Sequence, residues 1–353
     1  MASAITSAFS FNAEELQDWS KVIHEMTFAD PELNKLHQID EGIAHNMQIV
    51  FAGRMGLMGK AVSGCTPNEI GGVSLTEKFW APIREDFRLK HCSADVNAQD
   101  KLINQFAKMN PDFYNVIEGS ASTLGNFLVA SVVSGFNEEL MRKVWFNDIL
   151  ADTIASGGVL TNGTDKDYFN TFDGFWKQIV TELGAPTVAI AKNAGGTYAA
   201  QELSSGESIA ILKGLYTKAD SRLLSDSNKQ FYVTRTIYDG YLNDLEDIQN
   251  SGAGNTMINE NGQMTLRYRG VEVINMEFID RYINSYENNG TAWNLPHRAV
   301  LSTPQNLRVG TLAKSDFGEI DAFYDRTLKS NFIDGVYSVD SKLLEDYKLV
   351  AAY

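Results

Sequence analysis

The spacing of hydrophobic and polar positions predicts one unusually long helix. It starts at Asn110-Pro111-Asp112, an N-cap followed by a first-turn proline, and apolar residues then recur at helical spacing as far as Trp145. Such a helix would be about 50 Å long at about 1.5 Å per residue. Gly119, Gly125 and Gly135 lie inside it and each costs about 1 kcal/mol relative to alanine, so a break or bend is the alternative.

Two shorter helices are predicted near the N-terminus. Phe11, Asn12, Glu15 and Leu16 occupy the positions of a hydrophobic staple around a capping box, which predicts a helix over residues 13–24. Asp30-Pro31 repeats the cap-and-proline pattern and predicts a helix over residues 31–37.

Residues 46–95 have a different pattern. Period-2 alternation around Met47 to Phe51, and again around Ile83 to His91, predicts two strands. The segment between them is dense in glycine, which leaves the backbone permissive and poorly able to hold a core of its own. Its glycines are Gly53, Gly56, Gly59, Gly64, Gly71 and Gly72. We interpret this region as a long hairpin arm that projects from the body.

After Pro186 the pattern predicts an α/β module of about 120 residues. Helices are expected from Ser204 and over residues 236–248, and strands over residues 231–234, 271–274 and 298–301. The tail from Gly318 is expected to be extended and to close the fold in a sheet. The fold class is therefore α+β.

Composition and charge exclude several classes of protein. The 353 residues, 44% of them hydrophobic, suffice for two modest domains or one elaborated domain. Thirty Lys and Arg against 45 Asp and Glu give a net charge of -15, which is the wrong sign for binding the phosphates of nucleic acid. With no membrane-spanning stretch and no secretory signal, we expect a soluble protein made in a cytoplasm. Cys65 and Cys92 allow at most one disulfide and are better interpreted as incidental thiols.

Motifs for catalysis, cofactors or metals are not found in the sequence. A phosphate-binding loop has four residues between its first glycine and its Gly-Lys, followed by a residue with a hydroxyl. Here five residues separate Gly53 from Gly59-Lys60, and Ala61 has no hydroxyl. Five scattered histidines form no zinc motif. Glu138 and Glu139 are expected to form a solvated helix face. We therefore expect no catalytic, cofactor-binding or metal-binding residues.

Three aromatic pairs stand near the ends of predicted elements: Phe79-Trp80, Trp145-Phe146 and Phe175-Trp176. Burial in the core is the default expectation for each pair. Phe79-Trp80 lies at the base of an arm with little local core, which shifts the expectation for that pair toward a subunit interface.

The order of short helices, glycine-rich arm, long helix, α/β module and extended tail resembles the tailed-bacteriophage major capsid protein family, the Hong Kong 97 fold. The segments that carry the resemblance are EELMRKVWFND at 138–148, DGFWKQI at 173–179, FYVT at 231–234, RGVEV at 269–273, AVLSTPQNL with VGT at 299–311, and LVAAY at 349–353. FWAP at 79–82 and FWKQ at 175–178 look most like capsid proteins of phages that infect Bacteroidetes.

The resemblance implies a division of the chain. It comprises an N-terminal arm (1–45), an extended β-hairpin loop (46–95), a peripheral domain with a long spine helix (96–185), an axial α/β domain (186–311) and C-terminal strands that return to the peripheral domain (312–353). Subunit-interface residues are expected on the loop by its position: Arg54, Met55, Lys60, Phe79, Trp80 and Arg84.

The resemblance also implies partners and a location. The chain would bind copies of itself in pentamers and hexamers, with portal, scaffold or decoration proteins possible, beside packaged DNA and without a membrane. It would assemble in the host cytoplasm and reside in the virion capsid. Only some forty residues precede the loop, so no large maturational cleavage is expected. Some family members form Lys–Asn isopeptide links, for which Lys60 and Asn331 are the required residue types.

Two other functions stay open at this stage. One is an encapsulin-like bacterial compartment with the same fold. The other is an enzyme on the α/β module, where Asp239, His297 and Arg298 would have to approach one another.

Overall fold

A computed structural model of the chain describes residues 31–52, 75–92, 123–150, 166–182, 184–250, 257–258, 264–311, 321–325, 327–328 and 330–353. Its helices are α1 (Pro31–Leu36), α2 (Thr123–Phe146), α3 (Phe175–Lys177, continued by a π-helical turn Gln178–Glu182), α4 (Tyr198–Gln201), α5 (Glu207–Lys218), α6 (Ser221–Leu224), α7 (Arg235–Asn250) and α8 (Glu277–Tyr286). Short 3-10 turns span Lys166–Tyr168, Ala191–Ala194, Pro304–Asn306 and Asp346–Lys348.

The strands are mostly short, apart from one of ten residues and one of fourteen. They are β1 (Gln38–Glu41), β2 (Gln48–Ala52), β3 (Leu75–Phe79), β4 (Ile83–Cys92), β5 (Thr187–Val188), β6 (Gln230–Val233), β7 (Met257–Ile258), β8 (Met264–Thr265), β9 (Arg267–Tyr268), β10 (Val271–Asn275), β11 (Ala299–Ser302), β12 (Leu307–Thr311), β13 (Asp321–Asp325), β14 (Ser330–Leu343) and β15 (Val350–Ala352).

Two sheets organise the described part of the chain. In the first, which we call the body sheet, the order is β1-β12-β14-β13, and β4 also pairs with β14. In the second, the module sheet, the order is β5-β15-β11-β6-β10-β9. β2 and β3 form a separate two-stranded hairpin base, as do β7 and β8.

The long helix α2 packs its apolar side on the body sheet and on α8. Its buried residues belong to one core cluster with residues of α3, α8, β12 and β14. At its C-terminal end the Phe146 ring stacks on Tyr282 of α8, with centroids 3.8 Å apart and an interplanar angle of 15°. The predicted end near Trp145 is confirmed, and the helix continues through Gly125 and Gly135. Its expected first turns at 110–122 lie outside the described residues.

A second core cluster lies on the module sheet. Helices α5 and α7 cover it with Leu212, Leu215 and Ile237, against Phe231 and Val350 of the strands. The helix expected from Ser204 is confirmed as α5, but it begins at Glu207 with Gly206 as its N-cap, so Ser204 does not cap it. The Ser204 backbone N–H still donates to the Glu207 carboxylate at 2.6 Å.

Other sequence-based elements are confirmed with small shifts of their ends. The helix predicted over 31–37 is α1, and the one over 236–248 is α7. The strands of the module are β6, β10 and β11. The tail is extended, as β13, β14 and β15. The helix predicted over 13–24 lies outside the described residues.

The pairing of the arm strands differs from the expectation. β2 pairs with β3, from Gln48 opposite Phe79 to Ala52 opposite Leu75. β4 instead forms a ten-residue antiparallel ladder with β14, from Ile83 opposite Val339 to Cys92 opposite Ser330. Because the partner of β4 lies some 250 positions further along, local periodicity detected the strand but not its pairing.

Two strands cross the division of the chain that the resemblance implied. β12, placed in the axial domain, lies in the body sheet between β1 and β14. β15, expected to return to the peripheral domain, pairs with β11 and β5 of the module sheet. The two parts are therefore joined by exchanged strands as well as by the chain itself.

Within the described residues, no helix is long and apolar enough to cross a lipid bilayer.

Candidate assembly interface

The base of the arm is held on the body by the alternation of its strands. Ile49 and Lys78 are directly opposite each other on one face of the β2–β3 pair, and Gln48 and Phe79 on the other. Ile49 is buried and the Lys78 ammonium donates to the Leu343 carbonyl at 2.5 Å. One face of the hairpin base therefore contacts the body, and the other face is exposed to solvent.

Trp80, the residue after β3, is a core residue of its own chain. It is 2% exposed and clusters with Ile43, Ile49 and Leu344. A Cβ added to Gly310 would lie 2.7 Å from Ile43 Cδ1 and 2.8 Å from Trp80 Cζ3, so only glycine leaves room for the indole. This placement corrects the expectation that Trp80 lies in a subunit interface, since its ring has no free face to offer a partner.

Hydrogen bonds fix the backbone on both sides of Trp80. The Trp80 N–H donates to the Met47 carbonyl at 2.9 Å, and the Asn46 N–H donates to the Trp80 carbonyl at 2.8 Å. The Ala81 N–H donates to the Asp340 carboxylate at 2.8 Å. Burial raises the pKa of Asp340, opposed by Lys342 and the backbone donors. The described base of the arm is therefore held firmly on the body by backbone hydrogen bonds; we call this part, with Met47 and residues 79–84, the arm root.

Phe79 and Arg84 are placed where a partner could reach them. Phe79 is 50% exposed on the outward face of the hairpin base, and Arg84 is exposed on β4. Arg54, Met55 and Lys60 lie outside the described residues.

Sequence reasoning missed two apolar residues beside this root. Met47 and Ile83 are exposed by 47% and 43%, and Ile83 lines a cavity of about 180 Å3 together with Ile149 and Phe172. The sequence pattern marks both residues only as strand positions. Their exposure depends on which strands cover them, so no pattern within the sequence signalled it.

The other two aromatic pairs are in the core, as expected. Trp145, Phe146, Phe175 and Trp176 are all buried. His37 completes the group, because Trp145 Nε1–H donates to its Nε2 at 2.9 Å and its ring stacks on Phe175 at 5.5 Å.

The residues considered for an enzyme are each engaged by another side chain. Asp239 forms an ion pair with Arg235, and Arg298 forms one with Glu287. His297 shares a hydrogen bond with the Thr236 hydroxyl. Among the residues whose structure is described, no three His, Cys, Asp or Glu side chains are grouped as metal ligands.

No protein-family model matches this sequence, and no curated protein matches it either. Solved structures are similar to it in fold. A chain of the Satellite phage P4 procapsid, a structure that includes size determination (Sid) protein, aligns with a TM-score of 0.54 and 9% identity over 94% of this chain and 97% of that one. A capsid chain of the cyanophage P-SCSP1u aligns with a TM-score of 0.50 and 12% identity over 90% and 86%.

At such low identity the likeness is one of fold. The chain has the α+β fold of Hong Kong 97-type phage capsid structures, which confirms the fold expected from the resemblance. The expected likeness to phages of Bacteroidetes stays a prediction.

Proposed function

We propose that this protein is the major capsid protein of a tailed bacteriophage. It would assemble into pentamers and hexamers of an icosahedral shell that encloses a double-stranded DNA genome. The single observation that carries this proposal is the arm root, in which a rigidly held hairpin base keeps Phe79 on an outward face. A capsid fold with such an arm buries that face only when another copy covers it.

The proposed contact surface follows from the exposed residues of the root. Met47, Phe79 and Ile83 supply apolar area, and Arg84 supplies a charge at its edge. Apolar residues with a charged rim are the usual composition of protein interfaces. Arg54, Met55 and Lys60 of the arm are proposed to extend this surface.

The charge of the chain supports an enclosed genome that is adjacent but not bound. A net charge of -15 gives the inner wall no general affinity for phosphates, so DNA can slide along it during packaging. Assembly in the host cytoplasm, with a portal and with scaffold or decoration proteins as further partners, belongs to the same proposal. We propose no enzymatic activity.

Electron microscopy of the purified, full-length protein tests the proposal. We expect closed, hollow particles of uniform diameter to form without added ligand. A protein that stays monomeric at all concentrations and ionic strengths would contradict it. Particles from the native source should contain DNA, whereas a protein cargo such as a peroxidase or ferritin-like enzyme would indicate the bacterial compartment instead.

A variant with a shortened arm tests whether shell assembly depends on the arm. Because Ala52 pairs with Leu75, residues 53–74 can be replaced by an Asn-Gly turn that closes the β2–β3 hairpin. We expect this variant to unfold cooperatively on heating, as the full-length subunit does, and to form no closed shells. Intact shells from the shortened protein would overturn the role given to the arm.

A further inference from the structure

A buried charge cluster joins the long helix to the strand that follows the arm. Lys143 of α2 forms an ion pair with Glu85 of β4, and both side chains are only 6% exposed. The Lys143 ammonium also donates to the Tyr337 hydroxyl of β14 at 2.7 Å and lies 2.6 Å from the Glu139 carboxylate. Glu139, expected on a solvated helix face, is 38% exposed and closes the cluster from the solvent side.

Aromatic rings flank the cluster on the side of the sheet. Phe136 contacts the rings of Tyr337 and Phe87 edge to face, at 4.9 and 5.0 Å between centroids. Burial, with Glu85 and Glu139 beside it, raises the pKa of the Tyr337 phenol. The phenol therefore keeps its proton and donates a hydrogen bond to the Glu85 carboxylate.

Glu85 breaks the pattern of its own strand. Arg84, Asp86, Arg88 and Lys90 are exposed on the outward face of β4, while Glu85 is buried on the face toward α2. A buried ion pair adds little net stability compared with apolar residues of similar volume, although breaking one costs about 3–5 kcal/mol. Such a pair is therefore better suited to selecting one arrangement than to strengthening it.

The arrangement it selects is the strand register. Glu85 stands directly opposite Tyr337 in the β4–β14 ladder. If β4 slipped by two residues, Ile83 or Phe87 would take the place of Glu85, and the ammonium of Lys143 would be buried without that partner. The slip would also move the arm root by about 7 Å, because a strand advances about 3.4 Å per residue.

We propose that the cluster of Lys143, Glu85 and Tyr337 fixes the register of β4 and thereby sets where the arm leaves the body, which makes it a determinant of shell size. Neighbouring subunits in a shell contact each other through the arm, so a displaced root changes the angle between them. This inference rests on the proposed function for its effect on shells, but the register itself is a property of the single chain.

Disulfide trapping measures the register without any shell. In a background that lacks Cys65 and Cys92, Val336→Cys is combined with a cysteine at Asp86, its direct partner, or at Arg84 or Arg88, its diagonal neighbours. Diagonal positions are about 7–8 Å apart, beyond the usual span of a disulfide, so only the direct pair should link readily. We expect diagonal yields below a tenth of the direct yield.

The cluster is then replaced by apolar residues. The double variant Glu85→Leu/Lys143→Met removes both buried charges together and leaves only the carboxylate of Glu139, whose side chain is 38% exposed to solvent, so it should stay folded while diagonal yields rise at least fivefold. Arg142→Gln/Glu138→Gln removes a partly exposed ion pair of the same helix and should change neither yield. Unchanged diagonal yields in the first variant would overturn the proposal.

Two further measurements complete the test. If the double variant does not fold, Tyr337→Phe removes only the hydroxyl shared by Lys143 and Glu85, and an unchanged diagonal yield would then count against the proposal. Shells of the double variant should show at least twice the spread of diameters of the wild type, and an unaltered spread refutes the effect on size. A wild-type protein without shells refutes the proposed function but leaves the register measurable.

Discussion

Gly335 of β14 lies directly beneath the ring of Phe87 on β4, its partner in the strand ladder. A Cβ at Gly335 would lie 2.2 Å from Phe87 Cε1 and 2.4 Å from Cζ, well inside van der Waals contact. The ring cannot move away freely, because its other side contacts Phe136 of the long helix. A single missing side chain thus lets helix and sheet approach.

Gly335→Ala is therefore expected to destabilise the subunit by about 1–3 kcal/mol, the usual cost of overpacking a core. The measurement is the midpoint of denaturant unfolding. Gly184→Ala is the matched control, since a Cβ there meets no atom within 4 Å. Equal midpoints for the two variants would contradict the packing argument.

Truncation to alanine should mainly reduce subunit stability at Trp80 and shell assembly at Phe79. Trp80→Ala empties a buried site and should cost about 3–5 kcal/mol of subunit stability. Phe79→Ala should cost less than about 1 kcal/mol, because half of the side chain is already exposed. In particle assembly the Phe79 variant should nevertheless lose most of its shell yield. Normal shells from Phe79→Ala would remove this residue from the proposed interface.

His37 should make the subunit sensitive to acid. Burial lowers its pKa to about 3, against the opposing hydrogen bond to the Leu33 carbonyl, and its Nε2 has no room for a proton beside the Trp145 donor. The unfolded chain takes up that proton near pH 6.5, so stability is present above pH 6.5 and is lost as the pH falls toward 3.

Between pH 7.5 and pH 5 this loss should reach about 2 kcal/mol for the wild type. His37→Gln keeps an acceptor for Trp145 but does not titrate, so its unfolding free energy should fall by about 2 kcal/mol less over the same range. His45→Gln, at an exposed histidine, is the control. A His37→Gln variant with the full wild-type pH dependence would show that another group is responsible.

Gln178 should not tolerate an acid of the same shape. Its buried amide donates to the carbonyls of Asp173 and Ser341 at 2.7 and 2.9 Å, and it accepts from the Leu343 N–H at 3.0 Å. Gln178→Glu replaces the donor by an oxygen that faces two carbonyls, with an expected cost of about 3 kcal/mol. Gln305→Glu, at an exposed position, should be neutral in the same thermal unfolding experiment.

Local patterns were sufficient for the types of the elements. The cap and proline at Asp30-Pro31, the capping box at Ser204 and the apolar periodicity up to Trp145 each act within a few residues, so they predict helices without knowledge of the rest of the chain. The order of these elements was distinctive enough to indicate the capsid fold. Part of the candidate interface, Phe79 and Arg84, was identified by position on the arm alone.

Long-range pairing determined the remainder. The adjacent residues Phe79 and Trp80 look alike in sequence, yet one is half exposed and the other is enclosed by Ile43, Ile49 and Leu344. Which of the two side chains turns inward depends on Gly310 and on the register of distant strands. The alternating pattern of one strand does not reveal which strand it pairs with.

The amino-acid sequence thus determines which of the described segments are helical or extended, and its glycine-rich stretch predicts an arm poor in core residues. Tertiary structure alone decides where that arm is anchored, because a buried charge such as Glu85 is recognisable only when Lys143 and Tyr337 are brought to it across some 60 and 250 residues of chain. Periodicity is a local property, whereas burial and ion pairing depend on the whole fold.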